Sequence, residues 1–307
     1  LAQIAQALEE INLPGAWITI GSFDGVHLGH QALVSGLVAG AHQAGAPVVV
    51  LTFYPHPAAV LRGLRSPIYL TPPDERARLL GDLGVDAVVT LPFDRAMAAL
   101  TAEEFMRQLK RHLALRQLWV GANFALGRNR EGDVPALQRL GAAMDYHVEV
   151  VAPVKLGDEI ISSSAVRSVL AAGEVERAAR FLGRAYAMQG EVVHGDGRGR
   201  GLGIPTANLA AWSEQVTPAN GVYACWAWLD GQRWQSAVSI GLRPTFESQD
   251  DNPRIEAYLM DFDGDIYGQT LRLEFAARLR EERRYASVES LMDQVKQDIV
   301  AARSRLV

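Results

Sequence analysis

Trp17-Ile18-Thr19-Ile20-Gly21-Ser22-Phe23-Asp24-Gly25-Val26-His27-Leu28-Gly29-His30 is the stretch on which the fold of this 307-residue chain turns. Its first four residues are an apolar run rich in β-branched side chains and read as a strand. Gly21, Gly25 and Gly29 follow, and then Leu33, Val34, Leu37, Val38 and Ala41 recur three or four apart, the period of an amphipathic helix. Strand, glycine turn, helix is one step of a βα repeat. Outward from it the alternation continues, with apolar runs at residues 48–53, 85–91, 118–121 and 148–151 separated by helical stretches. Strands that are apolar throughout are buried on both faces. The expectation is therefore an α/β domain, a doubly wound parallel sheet covered by helices on both sides. Ligands of such sheets bind beyond the carboxyl ends of the strands.

Two helical stretches, around residues 164–171 and 174–182, read as a closing pair or linker, and after Arg184 the period changes. Residues 221–229 and 232–240 are strand-like and meet at Asp230-Gly231, a strong two-residue hairpin signal. Residues 254–261 and 270–275 flank a second turn at Asp263-Gly264. Short strands with turn residues between them predict a small antiparallel β-barrel. One helix closes the chain, with Val288, Leu291, Met292, Val295 and Ile299 as its apolar stripe and Ser287 as its N-cap. Two domains are expected, residues 1–184 and 185–307.

Apolar residues make up 49% of the chain and charged residues 21%, a globular balance that excludes disorder. No apolar run approaches the ~20 residues of a membrane-spanning helix. A net charge of −5 lacks the basic footprint of a general nucleic-acid binder. Cys225 is the sole cysteine, so neither an intrachain disulfide nor a CxxC metal knuckle can form, and a reducing cytoplasm is the expected compartment. No basic segment followed by an apolar one opens the sequence, which starts at Leu1. Lys110, Lys155 and Lys296 are the only lysines and none follows a glycine, so any ATP is bound without a GxxxxGK[ST] loop.

The turn at residues 21–30 sits where a helix start offers unpaired N–H groups and positive dipole to an anion. His27 and His30, three apart, can address one point. His27-Leu28-Gly29-His30 is similar to the HxGH signature of nucleotidyltransferases, whose histidines stabilise charge on a phosphoryl group in transfer. A metal pair is the weaker reading, since no cysteine and no carboxylate stands at matching spacing. Residues 52–57, residues 121–127 and the hydroxyl-rich Ile161-Ser162-Ser163-Ser164-Ala165-Val166-Arg167 complete four loops expected on one rim of the sheet. Alone, an HxGH or a serine-rich turn is more often a surface turn or a helix cap; their order gives them weight.

In the second half, glycines alternate through His194-Gly195-Asp196-Gly197-Arg198-Gly199-Arg200-Gly201-Leu202-Gly203, a loop able to wrap phosphate with backbone N–H groups while its arginines add charge. Pro205-Thr206-Ala207-Asn208 follows at once. The Thr206 hydroxyl and Asn208 amide oxygen are hard donors suited to a Mg²⁺ that keeps several waters and shares ATP oxygens. Glu256 alternates with Ile255, Ala257 and Leu259, so it shares a strand face with Tyr258 and Met260. Such a carboxylate is usually just solvated. Here it matters because transfer to a hydroxyl benefits from a general base.

In these motifs the chain resembles the bacterial bifunctional riboflavin kinase/FAD synthetase family. Residues 21–182 are similar to its FMN adenylyltransferase module. Residues 185–303 are similar to its riboflavin kinase module, through residues 203–208, Asn220-Gly221-Val222-Tyr223, Gly241-Leu242-Arg243-Pro244-Thr245-Phe246, Glu256 and residues 261–268. The resemblance implies a nucleotidyltransferase-like first domain and a six-stranded barrel. It implies that riboflavin and ATP give FMN and ADP at the second site, and that FMN and ATP give FAD and pyrophosphate at the first. Flavins are then substrates and products, not prosthetic groups. Carried over by motif, His27 and His30 are catalytic, while Gly21, Phe23, Asp24, Gly29, Asn123, Ser163, Ser164 and Arg167 bind nucleotide or FMN phosphates. In the second module Gly195, Arg198, Arg200 and Gly203 bind nucleotide, and Thr206 and Asn208 bind Mg²⁺. Asn220, Tyr223 and Arg280 bind substrate, and Glu256 is the base for the ribityl 5′-hydroxyl.

Two positions depart from the family pattern: Leu126 stands where an aromatic residue is common, and Ser164-Ala165 replaces a Thr-Arg pair. The first site needs no general base, because an FMN phosphate oxygen is already ionised near neutral pH. Small molecules are the expected partners, without nucleic acid or membrane, for a monomer or weak homo-oligomer. A class I aminoacyl-tRNA synthetase shares an HxGH-like signature, but no KMSKS-like lysine loop is present. Against a flavin-binding sensor with decayed sites, His27, His30, Thr206, Asn208 and Glu256 are all in place.

Overall fold

The computed structural model describes residues 2–63, 68–195, 204–241 and 253–307. The chain divides into two compact units, Leu1–Ser66 with Leu70–Ser163, and Pro67–Tyr69 with Ser164–Val307.

In the first unit β1 (Gln3–Ala5), β2 (Trp17–Ile20), β3 (Val48–Tyr54), β4 (Ala87–Pro92), β5 (Gln117–Gly121) and β6 (His147–Val151) form one sheet. Its order is β1-β4-β3-β2-β5-β6 and every pairing is parallel. Helices α1 (Leu28–Gln43), α2 (Pro73–Gly81), α3 (Ala102–Leu113) and α4 (Val134–Met144) cover it. The alternation of side chains along each strand decides which helix meets which residue. Val48, Val50 and Val88 pack against Val34, Leu37, Ala41 and Leu80 of α1 and α2. Val49, Leu51 and Val89 turn the other way, onto Phe105, Met106 and Leu109 of α3 and Leu137 of α4. Two buried faces are what the continuous apolar runs required. Strand β1 carries no periodic signal of its own. It is three residues long, pairs only with β4, and buries Ala5 alone.

From β2 the chain steps outward through β3 to β4, and β5 then pairs on the opposite side of β2. The order reverses between β2 and β5, and a crevice opens at the carboxyl ends of strands flanking such a point.

From Ser164 on, the second unit takes in the rest of α5 (Ser163–Ala171) and then α6 (Val175–Leu182). Its strands are β7 (Tyr186–Val193), β8 (Ala207–Ala211), β9 (Gly221–Leu229), β10 (Gln232–Gly241), β11 (Arg254–Leu259) and β12 (Thr270–Arg280). They close into an antiparallel barrel in the order β7-β8-β11-β10-β9-β12. The β9–β10 hairpin turns on Asp230 (φ 48°) and Gly231 (φ 77°), the doubly positive pair its twist demands. The turn expected at Asp263-Gly264 joins no hairpin. Its flanking strands β11 and β12 are not neighbours in the barrel, and β12 runs on to Arg280.

Helix α7 (Val288–Arg305) closes the chain, and the Ser287 cap is present as a capping box with Ser290. Its stripe behaves differently from a core stripe. Ala302 and Leu306 are the residues that seal onto Ala224, Met260 and Ala277 of the barrel wall. Val288 is exposed, while Leu291, Met292, Val295 and Ile299 are half-buried and line a cavity. An apolar stripe can serve a ligand as well as a core.

Candidate active sites

The first site stands at the end of β2. His27 is the N-cap of α1, and its Nδ1 accepts the His30 backbone N–H at 3.3 Å. With Nδ1 accepting, neutral His27 carries its proton on Nε2, leaving that atom as the ring's donor. Gly29 is what lets the ring lie there, since a Cβ at that position would come within 3.1 Å of it. The two imidazoles stack with centroids 3.6 Å apart and planes 19° apart, and Phe23 meets His30 edge-on at 5.1 Å. Burial holds the His30 imidazole well below its ordinary value of 6.5, and repulsion from His27 and Arg76 adds to the effect. His30 is therefore neutral at pH 7.

The loop is over-determined. Phe23 and the β-branched Val26 take positive φ, 46° and 41°, which costs strain that surrounding bonds must offset. Asp24 supplies those bonds. Fully buried, its carboxylate accepts the backbone N–H groups of Leu70 (2.8 Å) and Thr71 (3.3 Å), and its carbonyl accepts the Ser163 hydroxyl at 2.8 Å. Thr71 Oγ1 also accepts the Gly25 N–H.

Gly21, Phe23, His27, Gly29, His30 and Asn123 line one cavity of about 600 Å³, a volume suited to a small ligand. Its far wall is apolar: Phe53, Phe93, Met97, Leu100, Phe124 and Leu126. Among the described residues no carboxylate lines it, and Arg130 does. Asp24 and Ser163 are not on this lining, and Ser164 and Arg167 belong to the second unit. Asp24 is a loop fastener, and the Arg167 Nε donates to the Ile68 carbonyl at 2.7 Å.

The second site lies in the barrel unit. Asn208 of β8 pairs in register with Glu256 of β11, and Glu256 pairs with Ser239 of β10, so three strands deliver these side chains side by side. Together with Gly195, Thr206, Arg254, Tyr258 and Arg280 they line a cavity of about 670 Å³ whose opposite wall is the α7 stripe. Arg254 Nε lies 2.7 Å from Asn208 Oδ1 and 2.6 Å from Glu256 Oε1. His194 stacks on Tyr267 with centroids 3.8 Å apart. Arg280 lines the cavity with its fork already engaged. Its Nε and Nη2 donate to Asp298 at 2.9 and 2.6 Å, and both side chains are at most 15% exposed. That pairing holds the Arg280 guanidinium above its ordinary value.

Asn220 and Tyr223 are not brought to this cavity. Tyr223 is a barrel-core residue, edge-on to Phe275 at 5.4 Å, with its hydroxyl given to the Ala219 carbonyl and pushed by burial up to about 12. Asn220 offers its carbonyl to Arg278. Arg198, Arg200 and Gly203 lie outside the described residues. Sequence reasoning missed Arg254, Ser239 and Asp298; strand alternation puts Arg254 on the Glu256 face, and the register of β10 with β11 adds Ser239.

A helix-start cradle with paired imidazoles, and a barrel cavity joining hydroxyl, amide and carboxylate, are two settings for phosphorus chemistry, and they define a two-module transferase. Residues 9–165 match the FAD synthetase family and residues 182–306 the riboflavin kinase family. The bifunctional riboflavin kinase/FMN adenylyltransferase of Pseudomonas fluorescens is 39% identical over 94% of this chain and 93% of its own length. That of Escherichia coli (strain K12) is 38% identical over 98% and 94%. The chain belongs to this bifunctional riboflavin kinase/FMN adenylyltransferase family, with the adenylyltransferase module first and the kinase module second. A crystal structure from Streptococcus pneumoniae, described as a macrolide-efflux protein, matches with a TM-score of 0.88 at 31% identity over 98% of both chains. Among the described residues of the present chain no helix is long and apolar enough to cross a membrane.

Proposed function

We propose that FMN is made from riboflavin and ATP at the barrel cavity and FAD from FMN and ATP at the sheet cavity, with the two activities parting at about residue 184. The observation that carries this reading is the separation of donor sets among the described residues: paired imidazoles without carboxylates in one cavity, and hydroxyl, amide and carboxylate in the other.

At the sheet cavity an FMN phosphate oxygen attacks the α-phosphorus of ATP while the bond to pyrophosphate breaks. The chain aligns the two anions and stabilises the charge. His27 Nε2–H and the neutral His30 ring supply donors, the start of α1 supplies dipole, and Asn123 adds an amide. The apolar wall around Phe53, Phe93, Met97 and Leu126 suits a flavin ring.

At the barrel cavity Glu256 takes the proton of the ribityl 5′-hydroxyl as its oxygen attacks the γ-phosphorus and ADP leaves. Thr206 and Asn208 are the residues that would hold Mg²⁺. Two neutral hard oxygens fit a cation that keeps waters and takes nucleotide oxygens, and among the described residues no cluster of three or more His, Cys, Asp or Glu offers a rival cage. When bound, the ion supplies neutralisation of phosphate charge. Arg280, fixed by Asp298, presents an oriented cationic wall to the substrate.

The buried lone Cys225 supports a reducing, cytoplasmic setting. Partners are the small-molecule substrates, without nucleic acid or membrane, for a monomer or weak homo-oligomer. Chromatography after incubation with riboflavin, ATP and Mg²⁺ tests the whole reading. FMN followed by FAD is expected; bound flavin without product overturns it.

A further inference from the structure

Arg254 stands between the two groups on which the barrel reaction depends. Its Nε is 2.7 Å from Asn208 Oδ1 and 2.6 Å from Glu256 Oε1, so one N–H is shared by an amide oxygen and a carboxylate oxygen. The side chains involved are partly sheltered, Arg254 at 25% and Glu256 at 31% exposure, so the contact is not screened as an open surface pair would be. The other side of the Asn208 amide is set as well. Gly195 lies so close that a Cβ there would sit 2.1 Å from Asn208 Nδ2 and 2.6 Å from Arg254 Nη2. Asn208 can rotate freely in solution. Here the Arg254 N–H holds the amide oxygen while Gly195 closes on the amide nitrogen, on a strand paired in register with Glu256.

We propose that Arg254 is a positioning residue for phosphoryl transfer to riboflavin, orienting the Asn208 amide oxygen and the Glu256 carboxylate as one unit. This rests on the proposed roles of Asn208 and Glu256. A partner that orients a metal-binding or catalytic group costs about 10–100-fold in metal affinity or activity when removed. A planar guanidinium does this in a way an ammonium does not, because its N–H directions are fixed.

The test uses the full chain with Arg254→Gln and Arg254→Lys, alongside Glu256→Gln and Asn208→Ala. Mn²⁺ affinity is measured by EPR in the presence of ADP, together with kcat and KM for riboflavin. Arg254→Gln is expected to weaken Mn²⁺ about 10-fold or more and to lower kcat about 10–100-fold with riboflavin KM little changed. Arg254→Lys is expected to be as impaired, since charge alone does not bridge the two oxygens. Full rescue by Lys overturns the inference, as does unchanged or tighter Mn²⁺ binding in Arg254→Gln. If Glu256→Gln and Asn208→Ala abolish FMN formation while Arg254→Gln is neutral, only this inference fails. If those two are themselves neutral, the reading of the site fails with it. FAD formation from supplied FMN should stay at the parent rate in both Arg254 variants, which separates the effect from general damage.

Discussion

The imidazoles of His27 and His30 lie 3.6 Å apart and nearly parallel, joined through the His30 N–H on His27 Nδ1. Two rings so placed cannot both carry charge cheaply, and burial keeps His30 neutral, which leaves it a hydrogen-bond donor for the proposed reaction. Replacing His30 by Ala removes one donor and leaves the cap bond at His27 intact, because that bond uses backbone. FAD formation from FMN should fall about 10²–10³-fold, the cost of losing a preorganised donor. FMN formation from riboflavin should be unchanged. Separate assays with FMN and with riboflavin as starting flavin check this, and unchanged FAD output removes His30 from the mechanism.

The same burial makes stability depend on pH. The folded chain holds the His30 imidazole well below the value of 6.5 it has when unfolded, so between those values the unfolded chain binds more protons. Stability from this ring is fully present above about pH 6.5 and is lost as pH falls toward the folded value. The thermal transition of the sheet unit should therefore hold above about pH 6.5 and drop as pH falls below it. His30→Asn should flatten that drop. A variant with the parent slope would show that another group governs it.

Glu256 is tested by a substitution that keeps its shape. Glu256→Gln retains the strand register with Asn208 and Ser239 but removes the proton acceptor. FMN formation should fall about 10²–10⁴-fold, the span of general-base contributions. Adenylylation of supplied FMN should continue. Equal loss of both activities would contradict two independent sites.

How much of this was legible in the sequence follows from how local each feature is. The βα unit around Gly21–His30 could be read because strand, turn, cap and helix lie within one short stretch. The Asp230-Gly231 hairpin could be read for the same reason. Glu256 could be put on a face, but not beside Asn208, because that adjacency comes from the pairing of β8 with β11 across a barrel whose order does not follow the chain. The alternation that places Glu256 also puts Arg254 on its face, but the Arg254 contact with Asn208 needs that same pairing. Asp24 was legible as a polar residue in a phosphate loop, but not as the acceptor for Leu70 and Thr71, which return to it from far along the chain. The α7 stripe had the right period and an incomplete reading: periodicity reports an apolar face, and only the packing tells whether a core or a cavity meets it.

Arg280 and Asp298 join β12 to α7 as a nearly buried pair, reinforced by the Gln294 amide on Asp298. Removing one partner strands the other charge. Asp298→Ala should destabilise the barrel unit by about 3 kcal/mol, the lower end for breaking a buried pair. Because α7 forms the apolar wall of the cavity, riboflavin KM should rise alongside. Denaturant unfolding with riboflavin kinetics checks both, and a parent-like transition would show that the helix is held by Ala302 and Leu306 instead.

Gly195 separates activity from stability. A methyl group there would meet Asn208 Nδ2 at 2.1 Å and Arg254 Nη2 at 2.6 Å, and both are ends of side chains that can move aside. Gly195→Ala should therefore leave the melting temperature of the barrel nearly unchanged. The displaced Asn208 amide oxygen would no longer point where the proposed Mg²⁺ would be held, and a displacement of about 1 Å at such a group costs up to about 10²-fold in rate. FMN formation should fall accordingly while FAD formation from FMN persists. A glycine needed only for chain flexibility predicts the opposite pattern, with stability lost and specific activity of the folded fraction kept, so melting and kinetics on the same preparation decide between them.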